Sequence, residues 1–249
     1  MIRKSAASIL ALAILVFAIS IFARPAAAAQ QKIRVAIVTG GHGFDTKALP
    51  KLYEGVDDMA VDLRADKDPN AIFNDIADFK YDVVILYNFS NKPTDIQKQN
   101  MVKLLDKGIG LVVWHHAAAA YPDWPEFEAL AGVKFWLQPG EKNGEKIAAS
   151  GARDNVKMKI HVEDADNPIT KGVTDFELTD EPYVHQTFTK DITVILSCQN
   201  EFSDKAVAWT RMQGKSRVVG LQLGHDDKAW SNPSFHKIWL QAIRWTAGR

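Results

Sequence analysis

The sequence is poor in cysteine, carries no charge bias, and lacks the short signatures of several common enzyme classes. Its one cysteine, Cys198, excludes an internal disulfide, and no CxxC pair is present to build a zinc site. Cys198 ends the strand-like run from Ile192 and reads as a small buried hydrophobe. Lys and Arg number 30, as do Asp and Glu, so the formal net charge is zero. That balance gives no electrostatic case for nucleic acid or for an anionic membrane surface. No Gly-x-Ser-x-Gly elbow is present, which excludes the usual Ser-His-Asp hydrolase. The Gly40-Gly-His-Gly43 turn is not GxGxxG and lacks the P-loop Lys-Ser/Thr, so no nucleotide and no other cofactor is expected. HExxH is absent as well, and no metal is assigned.

What the chain does have is apolar residues, at 47% of its 249 positions, ample for a packed core. They are unevenly spread. Arg3 and Lys4 precede an uncharged apolar run from Ala6 to Ala23, then Arg24-Pro-Ala-Ala-Ala-Ala-Gln30. A basic start, an apolar stretch and small residues before a cut describe a secretory signal peptide. Residues 1–29 are expected to be removed near Ala29, leaving a single domain over 30–249. An uncleaved anchor helix is the rival reading, disfavoured by Pro25 and the Ala-x-Ala pattern. Export without disulfides points to a bacterial periplasm or secretion, with no membrane contact after cleavage.

Along the mature chain, apolar runs alternate with helical patterns. Lys32–Thr39, Met59–Leu63, Tyr81–Tyr87 and Leu111–Trp114 read as strands. Thr46–Val56 and Asp68–Ala77 read as helices, each with an early proline, and Thr94 opens a third that runs to Lys107. Gln97 completes a capping box with Thr94, and Gly108 supplies the stop. Trp124–Ala131 reads as a short helix and Phe135–Gly151 as a charged surface excursion. From Val156 onward the pattern turns β-rich, with strands over Val156–Val162, Tyr183–Thr187, Ile192–Leu196, Ala206–Thr210 and Val218–Leu223. The last two flank a hairpin connection centred on Gly214. Asn232 and Pro233 start a closing helix with Phe235, Ile238, Trp239, Ala242 and Trp245 on its apolar face. The alternation argues for an α/β fold with a mostly parallel sheet flanked by helices and a β-rich C-terminal half.

Histidines recur just past apolar strands: His42, the pair His115-His116, and His225. In open α/β sheets ligands bind beyond the carboxyl ends of the strands, so these rings are expected to meet in one cleft. Gly41 and its neighbours let the backbone fold tightly beneath a ligand and present His42. Asp180-Glu-Pro-Tyr-Val-His185 is a second chemically rich segment, with two carboxylates, a phenol and an imidazole. His161 and His236 read as surface and packing residues. Imidazole titrates near neutrality, and a carboxylate beside it can take or return a proton. His115, His116, Glu181 and His225 are therefore the candidate catalytic residues. Gly41, His42, Trp114, Asp180, Tyr183, His185, Asp226 and Trp230 are the candidate substrate contacts. Two other readings use the same cleft: a non-catalytic carbohydrate binder stacking sugars on Trp114, Trp124 or Trp230, and a metal-dependent hydrolase.

Gly40-Gly-His-Gly43, the Leu111–Ala117 strand tip, Asn167-Pro-Ile-Thr-Lys-Gly172, Asp180-Glu-Pro-Tyr183, Gly224-His-Asp226 with Trp230 and Pro233, and the final Ala242–Gly248 resemble the ThuA-like (trehalose utilisation) family in that order. The resemblance covers the chain from about Lys32 to its end. It implies a flavodoxin-like sheet related to class I glutamine amidotransferases, with Trp114-His115-His116 standing where their nucleophile would be. It also implies a role in disaccharide or glycoside utilisation, on sugars that a partner oxidoreductase has oxidised to keto forms. Pro182 is a variation within the acidic-loop motif.

Overall fold

The computed structural model describes residues 31–249, and the expected signal segment with its cleavage site lies outside them. Ile33–Gly40 (β1), Met59–Arg64 (β2), Val83–Asn88 (β3) and Gly110–Trp114 (β4) form half of a nine-stranded sheet. Every residue of β3 and β4 is buried, as unbroken apolar runs require in a sheet covered on both faces. β1 lies between β2 and β3, and β4 follows β3, all parallel. Strand order therefore reverses at β1, and a crevice opens between the ends of β1 and β3.

The other half departs from the mostly parallel sheet expected. Ser216–Leu221 pairs parallel with β4, and Ala206–Gln213, Thr193–Cys198, Val156–Val162 and Phe176–Asp180 then follow antiparallel. Half the strand pairings are thus antiparallel, because hairpins join this region where helical crossovers join the first. Gly214, at φ +57, makes the tightest of these turns. Phe176–Asp180 has no counterpart in the sequence reading. Its Leu178 and Asp180 face inward while Glu177 is exposed, a short edge pattern with one charge in the buried set.

Side chains alternate between the two faces of the sheet. Val35, Ile37, Ile85, Tyr87, Val112 and Trp114 pack against the closing helix Pro233–Thr246. Val38, Val84, Leu86, Leu111 and Val113 pack on the opposite face with Met101, Leu104 and Leu105 of Asp95–Lys107 (α1). α1 has the capping box in full, Thr94 with Gln97, and ends at Gly108 with φ +98. The helices expected over Thr46–Val56 and Asp68–Ala77 shrink to 3-10 turns, Leu49–Tyr53 and Ala71–Phe73. Asp45, Asp68 and Asp75 each bond backbone N–H groups two residues ahead, a local alternative to the helix. Segments this short also gain too little to offset helix nucleation. The Trp124–Ala131 helix is confined to Phe127–Ala131. Among the described residues, no helix is long and apolar enough to cross a membrane.

Candidate functional site

β4 ends at Trp114 in extended backbone, and the chain turns sharply into His115–Ala119. His115 makes that turn at φ +51, a left-handed conformation uncommon for a residue with a Cβ. Such strain persists where the surroundings over-determine it, and here the ring is pinned from several sides. His115 Nδ1 lies 2.5 Å from the Gln222 carbonyl, which can only accept, so Nδ1 carries the hydrogen. Its Nε2 is left as a lone pair, with the Tyr183 hydroxyl donating to it at 2.6 Å. Glu181 Oε2 and His225 Nδ1 stand 3.1 and 3.2 Å from the same nitrogen, and 3.0 Å from each other. The strand tip is an elbow, and imidazole occupies its apex.

Asp180 explains how groups from distant segments arrive together. Its buried carboxylate accepts from the backbone N–H of Glu181 at 2.9 Å, Gly224 at 2.7 Å and His225 at 3.0 Å. One side chain thereby ties the end of Phe176–Asp180 to the loop after Ser216–Leu221. Gly224 is required there, at φ +109, because a Cβ would strike the Trp114 indole and Phe235. Tyr87 adds a hydrogen bond from its hydroxyl to the His225 carbonyl at 3.1 Å.

On the other side, β1 runs into Gly40 and Gly41, both at positive φ, and presents His42. A Cβ on Gly41 would collide with the Phe89 carbonyl, so the turn needs glycine. The His42 ring stacks on His116 at 4.3 Å and lies edge-on to His225 at 5.9 Å. His116 donates from Nε2 to the Tyr87 carbonyl at 3.1 Å, while its buried Nδ1 has no partner. His42, Phe89, His116, Phe135, Glu181 and Tyr183 line a cleft of about 180 Å³. Glu181 and His225 also line an adjoining cavity of about 190 Å³ with Asp154, Asp226 and Lys228. A larger groove, about 540 Å³ and bordered by Lys51 and His236, contains none of this constellation.

The environment divides the titrating groups. Burial opposes ionisation of Glu181, but the hydrogen bond from His225, with the His115 ring beside it, outweighs that and holds the carboxyl well below the usual range. The same hydrogen bond to Glu181 raises His225 against the opposing effect of burial. His116 is lowered to about 2, first by burial and then by the nearby His115 and His42 rings, so it stays neutral. Burial keeps the Tyr183 and Tyr87 hydroxyls protonated.

The structure thus brings together His42, His115, His116, Glu181, Tyr183 and His225. It places other expected contacts elsewhere. Trp114 is fully buried, stacked on Tyr87 at 4.1 Å, with its indole N–H donating to the Leu223 carbonyl. Trp230 is buried with its N–H on Gly224, and Trp124 packs among Tyr121 and Phe127. Trp114 lines neither cavity of the constellation, Trp230 borders the larger groove and Trp124 a separate one, so none of these indoles faces the cleft that His42 and His116 share. Asp180 is spent on backbone N–H groups, and His185 is exposed, with Nδ1 3.4 Å from the Ala149 carbonyl. Asp226 caps the helix Asp227–Trp230 while bordering the adjoining cavity. Phe89, Phe135 and Asp154 were absent from the sequence-derived site. The two phenylalanines carry no chemical signature, and Asp154 follows the irregular segment that read as surface.

A family model described as ThuA, trehalose utilisation, matches residues 34–246. The chain belongs to the ThuA family. Solved structures agree in fold. A ThuA-like protein from Parabacteroides merdae is 17% identical at a TM-score of 0.72, covering 87% of this chain and 90% of that one. A ThuA-like protein from Bacteroides uniformis is 21% identical at a TM-score of 0.64, covering 90% and 95%. A protein from Thermoplasma acidophilum described as part of a GMP synthase, 12% identical, reaches a TM-score of 0.51 over 88% and 96%. No curated protein matches the sequence. Within this ThuA fold, the amidotransferase-like sheet is present in its mixed form, with His115 at the elbow.

Proposed function

We propose that this ThuA-family protein is an enzyme acting on a disaccharide, glycoside or keto-sugar by moving a proton next to a carbonyl. The family's description, trehalose utilisation, supports the carbohydrate class. The observation that carries the chemistry is the convergence of His115, Glu181, Tyr183 and His225 at one strand tip, beside a cleft that His42 and His116 share. A ketone acidifies the neighbouring C–H, so a carboxylate or imidazole can remove that proton near neutral pH. His42 can take it, since it commits Nδ1 to the Gly43 carbonyl at 2.7 Å and leaves Nε2 to accept, while Glu181, held ionised and so a weak base, keeps His225 charged as a donor. His225 supplies a donor for the developing enolate oxygen, and one such donor is worth about 3 kcal/mol. Neutral His116 supports the His42 ring, which stacks on it at 4.3 Å. A keto-sugar arises by oxidation of a sugar hydroxyl, so the reading includes a partner oxidoreductase upstream. It also includes export to the periplasm or beyond, on the strength of residues 1–29.

Incubating oxidised and unoxidised disaccharides with the protein in deuterated water, followed by NMR, tests this. Deuterium should enter the carbon beside the ketone as the keto form is consumed. His115→Ala, His116→Ala and Glu181→Gln should each lower turnover by about 10² to 10⁴-fold while circular dichroism stays unchanged. Turnover without deuterium incorporation counts against the proton transfer. Full activity in all three variants sinks the site.

A further inference from the structure

His115 Nε2, Glu181 Oε2 and His225 Nδ1 form a nearly equilateral triangle with edges of 3.0 to 3.2 Å. Hydrogen bonding accounts for each edge separately but poorly for the three together. A single proton on His225 can be shared between two contacts, whereas the third still sets a carboxylate oxygen against an imidazole lone pair. A cation above the triangle satisfies all three atoms, taking the His115 Nε2 lone pair in place of the Tyr183 hydroxyl that donates to it at 2.6 Å. From these contacts we infer that His115, Glu181 and His225 are the ligands of a divalent transition-metal ion.

The dimensions fit. Bonds of about 2.0–2.2 Å in tetrahedral zinc geometry separate neighbouring ligand atoms by about 3.3–3.6 Å, a few tenths of an ångström beyond the triangle's edges. The donor set fits too, since two imidazoles and one carboxylate suit zinc, iron or manganese and leave further positions for a substrate oxygen. Independent features hold the ligands ready. The Gln222 carbonyl takes the His115 Nδ1 hydrogen, fixing the tautomer whose Nε2 can bind a metal. Asp180 clamps the backbone of both Glu181 and His225. The left-handed turn at His115 aims its ring at the other two ligands. Among the described residues, this is the grouping of His, Cys, Asp or Glu side chains whose ligand atoms lie within 4.8 Å of one another. No tight spacing betrays it, because the ligands sit 66 and 44 residues apart.

The inference deepens the proposed reaction and rests on the same cleft. A bound cation would polarise the sugar carbonyl in the way that N–H donors do in the metal-free site. It would also occupy Glu181, leaving His42 as the proton acceptor.

The test uses purified protein stripped with a chelator and titrated with Zn²⁺ or Mn²⁺ by calorimetry. Metal content after dialysis and X-ray absorption of the zinc form complete it. One ion per chain in a nitrogen and oxygen environment is expected. Glu181→Gln and His225→Ala should each weaken binding by at least about tenfold, the smallest loss usual even for groups that only support a ligand. His42→Ala, in the same cleft but not a ligand, should bind as the wild type does. Glu181→Gln keeps the side-chain shape, so it remains informative should His225→Ala fail to fold. Folded wild-type protein that binds neither ion overturns the inference, as does binding indifferent to Glu181→Gln. Keto-sugar turnover by protein that binds neither ion defeats the metal site and leaves the proposed reaction standing. Stoichiometric binding without turnover does the reverse.

Discussion

His116 is the residue whose setting makes the sharpest demand. Its ring is 5% exposed, it donates to the Tyr87 carbonyl, and its pKa falls from 6.5 to about 2. The unfolded chain therefore binds a proton near pH 6.5 that the folded chain refuses. The stability this neutral ring confers is complete above that value and declines as pH falls toward about 2. Urea unfolding between pH 7 and 4.5 should show stability dropping, with His116 contributing up to about 1.4 kcal/mol per pH unit. His116→Gln, which cannot charge, should flatten that limb by one proton, and an unchanged slope would refute the burial account. Residue type alone made His116 visible as a candidate, but not its fixed neutrality. Likewise His42, His115, Glu181 and His225 were legible from their places past apolar runs or in an acidic loop. The work of Asp180 was not, because its carboxylate serves N–H groups 44 and 45 residues away. Nor was the burial of Trp114 and Trp230, since an indole after a strand looks the same whether it faces a cleft or the core.

Elements whose start and stop are written locally were the readable ones. α1 has Thr94, Gln97 and Gly108 where a capped helix needs them, and the closing helix has Asn232 and Pro233. Thr94 Oγ1 accepts from the Gln97 N–H, and Gln97 Oε1 accepts from the Thr94 N–H at 2.8 Å. Thr94→Ala should lower stability by about 1 kcal/mol, measured as a shift in urea midpoint with an unchanged slope. A loss near zero would mean that Gln97, bonded also to Asp68 and Asn74, anchors the helix start unaided. The turns at Leu49–Tyr53 and Ala71–Phe73 misread as helices because their apolar spacing is helical over a window too short to decide. Phe176–Asp180 escaped notice for the complementary reason. Only its pairing with Val156–Val162 makes a strand of a segment with two acidic residues.

At the scale of the molecule, residues 31–249 contain both core clusters, one on each face of the sheet. Apolar surface buried on both faces gives this unit its own driving force for folding. The function proposed here includes export, and export has a charge signature. Arg3, Lys4 and Arg24 are the basic residues of 1–29, a segment with no acidic residue. The whole chain balances 30 basic against 30 acidic side chains with a sequence pI of about 7.1, so cleavage near Ala29 leaves an acidic excess. Protein recovered from the producing cell should therefore begin near Gln30 by intact mass and focus below pH 7.1. A product that retains Met1, partitions with membranes and focuses near neutrality would instead make the segment an anchor. The cleft would then work beside a bilayer, and diffusion of the keto-sugar to a tethered site would replace a freely moving enzyme.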